Sequence, residues 1–103
     1  MDLINQRDSV GFKRYCSEID PLHVYDIDEG IVPNAKTAAA IADAVLNPLL
    51  GDNIDKEKPF DVVLENGNVW HISGTLPNNS FGGVAEIWIQ KSDGKVLCLY
   101  HSK

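Results

Sequence analysis

The chain has 103 residues and a mass of 11.3 kDa, with 44% hydrophobic and 23% charged residues. This length and composition predict one small globular domain, residues 1–103, and exclude a collagen-like chain, a coiled coil and full-length disorder. Nine basic and fifteen acidic residues give a net charge of −6. Such a surface is poorly suited to binding a nucleic-acid backbone directly and better suited to a basic partner.

The acidic residues are concentrated in the first part of the chain. Residues 1–59 hold 11 acids and 6 bases, whereas residues 60–103 hold 4 acids and 3 bases. Between Arg14 and Lys36 there is no basic residue. We call the stretch Glu18–Glu29 within this gap the acidic interval. Its carboxylates belong to Glu18, Asp20, Asp26, Asp28 and Glu29.

The N-terminus and the cysteines indicate the compartment. The first fifteen residues lack a basic start followed by an apolar run, so we expect no secretory signal and a cytoplasmic protein. The most apolar stretch, residues 38–50, is too short and too polar to cross a membrane. Cys16 and Cys98 are 82 positions apart and belong to no zinc-binding spacing. We expect two buried thiols, with a single long-range disulfide as the alternative.

The first predicted elements precede an alanine-rich helix. Apolar spacing predicts a short helix over residues 12–19, ended by Pro21, and Leu22–Ile27 is either a short strand or an extended segment. The clearest helix begins after Pro33 with Asn34 as its N-cap. Pro48 predicts a stop near Leu46 or a kink, and Gly51 the final end. The face expected to be buried consists of Ala38, Ile41, Ala42, Val45 and Leu49.

A first β-hairpin is predicted after Pro59, where apolar residues recur at every second position. A three-residue loop, residues 66–68, pairs Leu64 with Trp70 and Val62 with Ile72, which places these side chains on one face. In this loop Asn68 is expected to take the left-handed conformation.

A second hairpin is predicted from Val84–Lys91 and Lys95–His101, joined by residues 92–94. Gly94 suits the left-handed position of such a loop. The expected pairs are Ile89 with Leu97, Ile87 with Leu99, Trp88 with Cys98, and Glu86 with Tyr100. The opposite side from the core, which we call the outer face, then carries Glu86, Trp88, Cys98, Tyr100 and Val63.

These elements predict an α+β fold in which a curved four-stranded antiparallel sheet wraps around the alanine-rich helix, in a cystatin-like or nuclear transport factor 2-like arrangement. The N-terminal segment, residues 1–30, is expected to close the open side. We expect backbone roles, such as turns and strand entry, at Gly74, Pro77, Gly82, Gly83 and Gly94.

The second part of the chain contains a series of short sequence strings. They are VPN at 32–34, TA at 37–38, IADAV at 41–45, PLLG at 48–51, KPF at 58–60, GTLP at 74–77, GGVA at 82–85, IWI at 87–89 and KSDGKVL at 91–97. In their order and spacing they resemble the bacterial immunity proteins with the nuclear transport factor 2-like fold, and the resemblance covers residues 31–103. The departures are Leu50, where the family tends to have tyrosine, and Asp43, where it has glutamate.

The resemblance implies an antidote encoded beside a polymorphic toxin, of the kind delivered by contact-dependent or secretion-linked systems. Such a protein binds the C-terminal effector domain of its cognate toxin and blocks it stoichiometrically. It is not an enzyme, and no cofactor or metal is implied. Many such effectors are nucleases with cationic clefts, so a basic nuclease is one candidate partner. The protein itself is expected to be a monomer or a weak homodimer.

Two surfaces are candidates for toxin binding. The carboxylates of the acidic interval would steer a basic partner, with Tyr15 and Tyr25 as aromatic anchors; the alternative is a solvated connection. The outer face is either covered by the N-terminal segment or exposed to a partner or a second copy. The candidate toxin-binding residues are Glu18, Asp20, Tyr25, Asp26, Asp28, Glu29, Glu86, Trp88 and Tyr100.

A second class of function is a small enzyme, or a small-ligand-binding module, that uses the cone-shaped cavity of this fold. Catalysis would need a histidine and a carboxylate that meet in a pocket. The predicted registers place His101 on the helix side near Ala85 and His71 on the opposite side, so the two do not converge. Asp61, Glu65 and Glu86 lie at outward positions where we expect solvated carboxylates.

Overall fold

The computed structural model describes residues 3–8, 22, 25, 27–77 and 82–102. These residues form helix α1 (Ala35–Leu50), a 3₁₀ helix (Gly51–Glu57) and strands β1 (Asp61–Glu65), β2 (Val69–Ser73), β3 (Ala85–Gln90) and β4 (Val96–His101). The strands are antiparallel and lie in the order β1-β2-β3-β4 in an open sheet. This confirms the α+β architecture of one helix and four antiparallel strands. The helix expected at residues 12–19 and most of the Leu22–Ile27 segment lie outside the described residues.

Helix α1 begins and ends where capping chemistry predicts. The side-chain oxygen of Asn34 accepts a hydrogen bond from the backbone N–H of Thr37 at 2.8 Å, and Gly51 (φ 72°) ends the helix. Of the two alternatives predicted from Pro48, the stop near Leu46 is wrong, because the helix continues through Pro48 to Leu50, and the kink stays a prediction. Pro48 lies in the last turn, where the N–H of Gly51 still reaches the carbonyl of Asn47. The missing proline donor therefore does not end the helix.

The buried face of α1 is formed by Ala38, Ala42 and Leu46, with Ile41 and Val45 partly buried beside them. The expectation for Leu49 is wrong, since its side chain is 64% exposed. Leu46 follows Ala42 by four residues, and it therefore continues the stripe at the helical spacing. The face packs against β1, β2 and β3. The core comprises Val32, Ala38, Ala42, Leu46, Ile54, Trp70, Ile72, Ala85, Ile87 and Ile89.

The β1–β2 hairpin has the predicted register, with Leu64 opposite Trp70 and Val62 opposite Ile72. The left-handed residues of its loop are Asn66 (φ 54°) and Gly67 (φ 74°), so the expectation for Asn68 is wrong. Two consecutive left-handed residues make a tight turn that closes when the N–H of Asn68 donates to the carbonyl of Glu65 at 3.1 Å. The left-handed residues therefore lie two positions and one position before the predicted Asn68.

The β3–β4 hairpin is confirmed except next to its loop. Gly94 is left-handed (φ 77°), and Glu86–Tyr100, Ile87–Leu99 and Trp88–Cys98 pair as predicted. Ile89, however, lies opposite Val96 and not Leu97, because the register shifts between Trp88 and Ile89. The N–H of Gln90 donates to the carbonyl of Lys95 at 2.8 Å, which leaves a four-residue loop. Leu97 is the extra residue of the resulting bulge.

The segment before α1 crosses the hairpin end of the sheet. The N–H of Ile31 donates to the carbonyl of Ser92, and that of Val32 donates to the carbonyl of Lys91, each at 3.1 Å. The indole N–H of Trp70 donates to the carbonyl of Val32 at 2.8 Å. These bonds fix the polypeptide that leads back to the acidic interval against the β3–β4 loop.

The structure tests the expectations for the Cys98 thiol and for a membrane-spanning helix. Cys98 is a free and exposed thiol, so both the disulfide and the buried thiol are wrong for this residue. Its position on the outer face explains the exposure. Cys16 lies outside the described residues. In the described part of the chain, no helix has the length and apolar character needed to span a membrane.

Candidate functional site

The outer face carries a row of stacked rings across three strands. His71 of β2 lies opposite Trp88 of β3, and their rings stack at 4.2 Å with an interplanar angle of 9°. Tyr100 of β4 extends the row, with its ring 6.0 Å from that of Trp88 and nearly parallel to it. Trp88 is half-buried between them, whereas Tyr100 remains 45% exposed. The stacking holds large amphipathic rings in one orientation at the surface.

Glu86 is held by the two ends of this row. The hydroxyl of Tyr100 donates to Oε2 at 2.5 Å, and Nε2 of His71 lies 2.8 Å from Oε1. The Tyr100 hydrogen bond and then the His71 contact hold the pKa of Glu86 below its ordinary value. The same bond raises the pKa of Tyr100. The expectation of a simply solvated Glu86 is therefore wrong, because the neighbouring strands supply two partners.

A shallow apolar groove lies beside Trp88, on the side of the hairpin turns. It has a volume of about 410 Å³ and is lined by Glu65, Val69, Trp88, Leu97 and Cys98. We call it the outer-face groove. Oε1 of Glu65 accepts the indole N–H of Trp88 at 3.1 Å. Oε2 of Glu65 is 3.9 Å from Nδ1 of His71, which is beyond hydrogen-bonding distance. Among the described residues, no donor lies within hydrogen-bonding distance of this second oxygen, which can therefore accept from a further donor.

The described part of the acidic interval lies at the same end of the sheet. Asp28 and Glu29 line a small groove of about 180 Å³ against Gly67, Asn68 and the β3–β4 loop. The ammonium group of Lys91 donates to the backbone carbonyl of Glu29. Tyr25 is 92% exposed. The remaining carboxylates of the interval, Glu18, Asp20 and Asp26, and the candidate anchor Tyr15 lie outside the described residues.

A second carboxylate–histidine pair, absent from the sequence-based candidates, lies on the helix side of the sheet. Glu57 is buried at the end of the 3₁₀ helix, and its Oε1 accepts the backbone N–H of Ala85 at 2.7 Å. Its Oε2 lies 3.0 Å from Nε2 of His101. Gly74 is in close contact with the same carboxylate. The pair therefore links the end of the 3₁₀ helix to the start of β3 and the end of β4, and it packs against the residue that follows β2.

The two histidines do not converge, as predicted. His71 contacts Glu86 on the outer face, whereas His101 contacts Glu57 on the helix side. Glu57 was missed because it follows two hydrophilic residues, Asp55 and Lys56, in a stretch without regular apolar spacing. The spacing of apolar residues gives no sign that its side chain is buried. Among the described residues, no group of three or more histidine, cysteine or acidic side chains could hold a metal ion.

The interior positions that would line a cavity are packed. Ala38 and Ile87 have no exposed surface, and Ile41, Val45 and Leu99 pack against the core. The space between α1 and the sheet at these five positions is therefore filled by side chains.

Comparison with known proteins identifies a family. A model of the family described as NTF2 fold immunity protein matches residues 37–103. No curated protein matches the chain, and no solved structure does. The matched region contains α1 from its third residue onward, the 3₁₀ helix and all four strands. Its start close to residue 31 agrees with the extent of the resemblance read from the sequence.

Proposed function

The chain belongs to the NTF2-fold immunity proteins, and from this membership we propose that it binds a cognate bacterial toxin effector domain and neutralises it stoichiometrically by occlusion. The proposed setting is a polymorphic toxin system of the contact-dependent kind, with the protein acting in the cytoplasm as a monomer or weak homodimer. Its net charge of −6 suits a basic effector, such as a nuclease.

The outer face is the observation that carries this proposal to specific residues. Trp88 and Tyr100 present fixed aromatic surface, and Glu86 holds the outer two rings of the row in place through its contacts with Tyr100 and His71. Aromatic anchors beside oriented charges are what protein interfaces use at their energetic centres. Val63 on the same face is 54% exposed, which extends the apolar surface toward β1.

The acidic interval contributes a second part of the proposed surface. Asp28 and Glu29 lie beside the β1–β2 turn. This turn directly follows Glu65, the last residue of β1. A partner seated over the hairpin end of the sheet would meet these carboxylates and the outer-face groove together. Glu18, Asp20, Tyr25 and Asp26 belong to the proposal by sequence proximity. Carboxylates at the rim of an interface mainly raise the rate of association and its salt sensitivity.

The test is co-expression with the toxin domain encoded immediately upstream. We expect a one-to-one complex in a pull-down and rescue of growth when the toxin is induced. Replacing the acidic interval carboxylates with amides should slow association, and alanine at Trp88 should weaken the complex. A toxin that neither binds the purified protein nor loses its toxicity beside it would refute the proposed function.

The alternative of an enzyme or small-ligand module in the cone-shaped cavity has less support. It requires free space between α1 and the sheet, whereas Ala38, Ile87 and Leu99 and their neighbours fill that region. The Glu57–His101 pair has the residue types of an acid–base site. Both oxygens of Glu57 are already engaged within the protein, which favours a structural role.

A further inference from the structure

The outer-face groove combines two features, apolar walls and one carboxylate, that together favour one type of ligand. Its walls are apolar, from Val69, Leu97 and the indole of Trp88. Apart from the Cys98 thiol, the only ionisable side chain among the lining residues is that of Glu65, which is 44% exposed. A long side chain with an apolar stem and a cationic end matches this order of surfaces.

The position of the Glu65 carboxylate further restricts which ligand group can bind in the groove. The Trp88 indole N–H occupies Oε1 at 3.1 Å and thereby orients the carboxylate toward the groove. In the part of the chain that the structure describes, the basic group nearest to Oε2 is Nδ1 of His71, which lies 3.9 Å away and is too far to donate a hydrogen bond. A donor from outside can therefore bind without breaking a bond that the protein already makes. Because the carboxylate is already oriented before a ligand binds, binding costs less side-chain conformational entropy.

We propose that the outer-face groove receives an arginine side chain of the cognate toxin domain, with its stem on Val69 and Leu97 and its guanidinium on the Glu65 carboxylate. This inference rests on the proposed function. Arginine fits better than lysine because its planar guanidinium is less strongly hydrated and remains charged beside apolar walls. It also donates from several N–H groups, so one can reach Oε2 while others remain at the groove mouth.

The β-bulge supplies one wall of this site. With an unbroken register, Leu97 would lie opposite Ile89 and point toward the core. The shift between Trp88 and Ile89 instead places Leu97, 45% exposed, beside Cys98 in the groove. Bulges commonly redirect a side chain next to a functional site. The arginine site is therefore a consequence of the four-residue loop that ends β3.

The test compares Glu65→Gln with Asp61→Asn in titrations against the toxin domain. Both variants remove one negative charge from the same face of β1, but only Glu65 lines the groove. Glutamine keeps an acceptor for the Trp88 indole. We expect Glu65→Gln to weaken binding by about tenfold or more, and Asp61→Asn by less than about twofold. Equal effects of the two variants would overturn the proposal.

A second variant of this protein and an alanine scan of the arginines in the toxin domain complete the test. Leu97→Arg should fill the groove from within and weaken binding as much as Glu65→Gln, and thermal unfolding checks that both variants fold. Single Arg→Ala changes in the toxin domain should reveal one arginine whose loss costs about tenfold with wild type but little with Glu65→Gln. If no toxin arginine couples to Glu65, the proposal is refuted while the proposed function stands.

Two further results would also overturn it. A dimer of this chain, seen by sedimentation of the protein alone and dissociated by Glu65→Gln, would assign the groove to a second copy. If the wild-type protein does not bind the toxin domain at all, the proposed function fails and the arginine site fails with it. The two failures differ in whether the wild-type complex forms.

Discussion

The buried carboxylate of Glu57 lies so close to Gly74 that a Cβ atom at residue 74 would stand 2.3 Å from its Oε1 and 2.8 Å from its Cβ. The backbone at Gly74 is itself fixed, because its N–H donates to the carbonyl of Ala85 at 2.9 Å. The neighbouring Thr75 N–H donates to the carbonyl of Glu57 at 2.8 Å. The end of the 3₁₀ helix and the exit of β2 therefore pack with no room for a side chain at residue 74.

We expect Gly74→Ala to destabilise the protein by about 1–3 kcal/mol, because the new methyl group must displace the Glu57 side chain from a buried position. Urea unfolding monitored by tryptophan fluorescence measures the change. Gly67→Asn is the matched control, since no atom lies within 4 Å of a Cβ there and asparagine tolerates the positive φ. Equal losses in the two variants would show that the close approach at Gly74 has no energetic weight.

Glu57→Ala should cost about 2–3 kcal/mol of unfolding free energy, because the buried N–H of Ala85 loses its acceptor and His101 loses its partner. Glu57→Gln should cost less, since its side-chain oxygen can still accept from Ala85. Lys56→Ala, an exposed neighbour on the same 3₁₀ helix, is expected to change stability by under about 0.5 kcal/mol. Chemical denaturation of the three variants tests this order, which a neutral Glu57→Ala would contradict.

The Tyr100–Glu86 hydrogen bond should make stability depend on pH in the acid range. The folded-state pKa of Glu86 is lowered, so its contribution is complete above the ordinary value of 4.5 and is lost as the pH falls through the lower folded value. Tyr100→Phe should therefore be less stable than wild type at pH 7, with the difference shrinking below pH 4.5.

Urea unfolding of both proteins between pH 3 and 7 measures this difference. Tyr25→Phe serves as the control, because the Tyr25 side chain is 92% exposed. A gap between wild type and Tyr100→Phe that stays constant over the whole range would argue against the hydrogen bond as its source. The raised pKa of Tyr100 predicts the complementary effect, a loss of stability as the pH rises above its ordinary value of 10.0.

Trp88→Ala should weaken toxin binding by at least about 2 kcal/mol, roughly 30-fold, since stacked aromatic side chains at the centre of an interface carry much of its energy. Leu49→Ala is the matched control, because Leu49 is 64% exposed on α1 and lies away from the outer face. Isothermal titration gives both affinities, and circular dichroism checks folding. If the Leu49 variant loses as much affinity as the Trp88 variant, the outer face is not the binding centre.

Much of the architecture follows from local patterns. The N-cap at Asn34, the end at Gly51 and the registers of both hairpins away from the β3–β4 loop were predictable, because capping side chains and period-two apolar residues act over a few neighbours. The family strings between residues 31 and 103 were equally visible. The errors at Leu46, Leu49 and Asn68 are shifts of a few residues within elements whose type was right.

The contacts of the candidate site required the tertiary structure. Glu86 was expected to be solvated, and Leu97 was expected in the core. Both were wrong because cross-strand partners and a one-residue bulge decide where an individual side chain points. Glu57 gave no signal in the sequence, since its burial depends on Gly74 and Ala85, which lie 17 and 28 positions further along the chain.

Patterns in the sequence were enough to predict the class of this protein: one alanine-rich helix, four antiparallel strands, a net negative charge and a resemblance to an immunity family. The elements and the charge follow from hydrophobic periodicity, turn chemistry and composition, which are properties of short segments or of the whole chain. The family was indicated separately, by the ordered strings within residues 31–103 that resemble it. The folded chain was needed to see that Tyr100 and His71 share the Glu86 carboxylate, and that Glu65 lines an apolar groove. Hydrogen bonds between distant strands depend on register and side-chain direction to within an ångström, and short-range pattern carries no information at that precision.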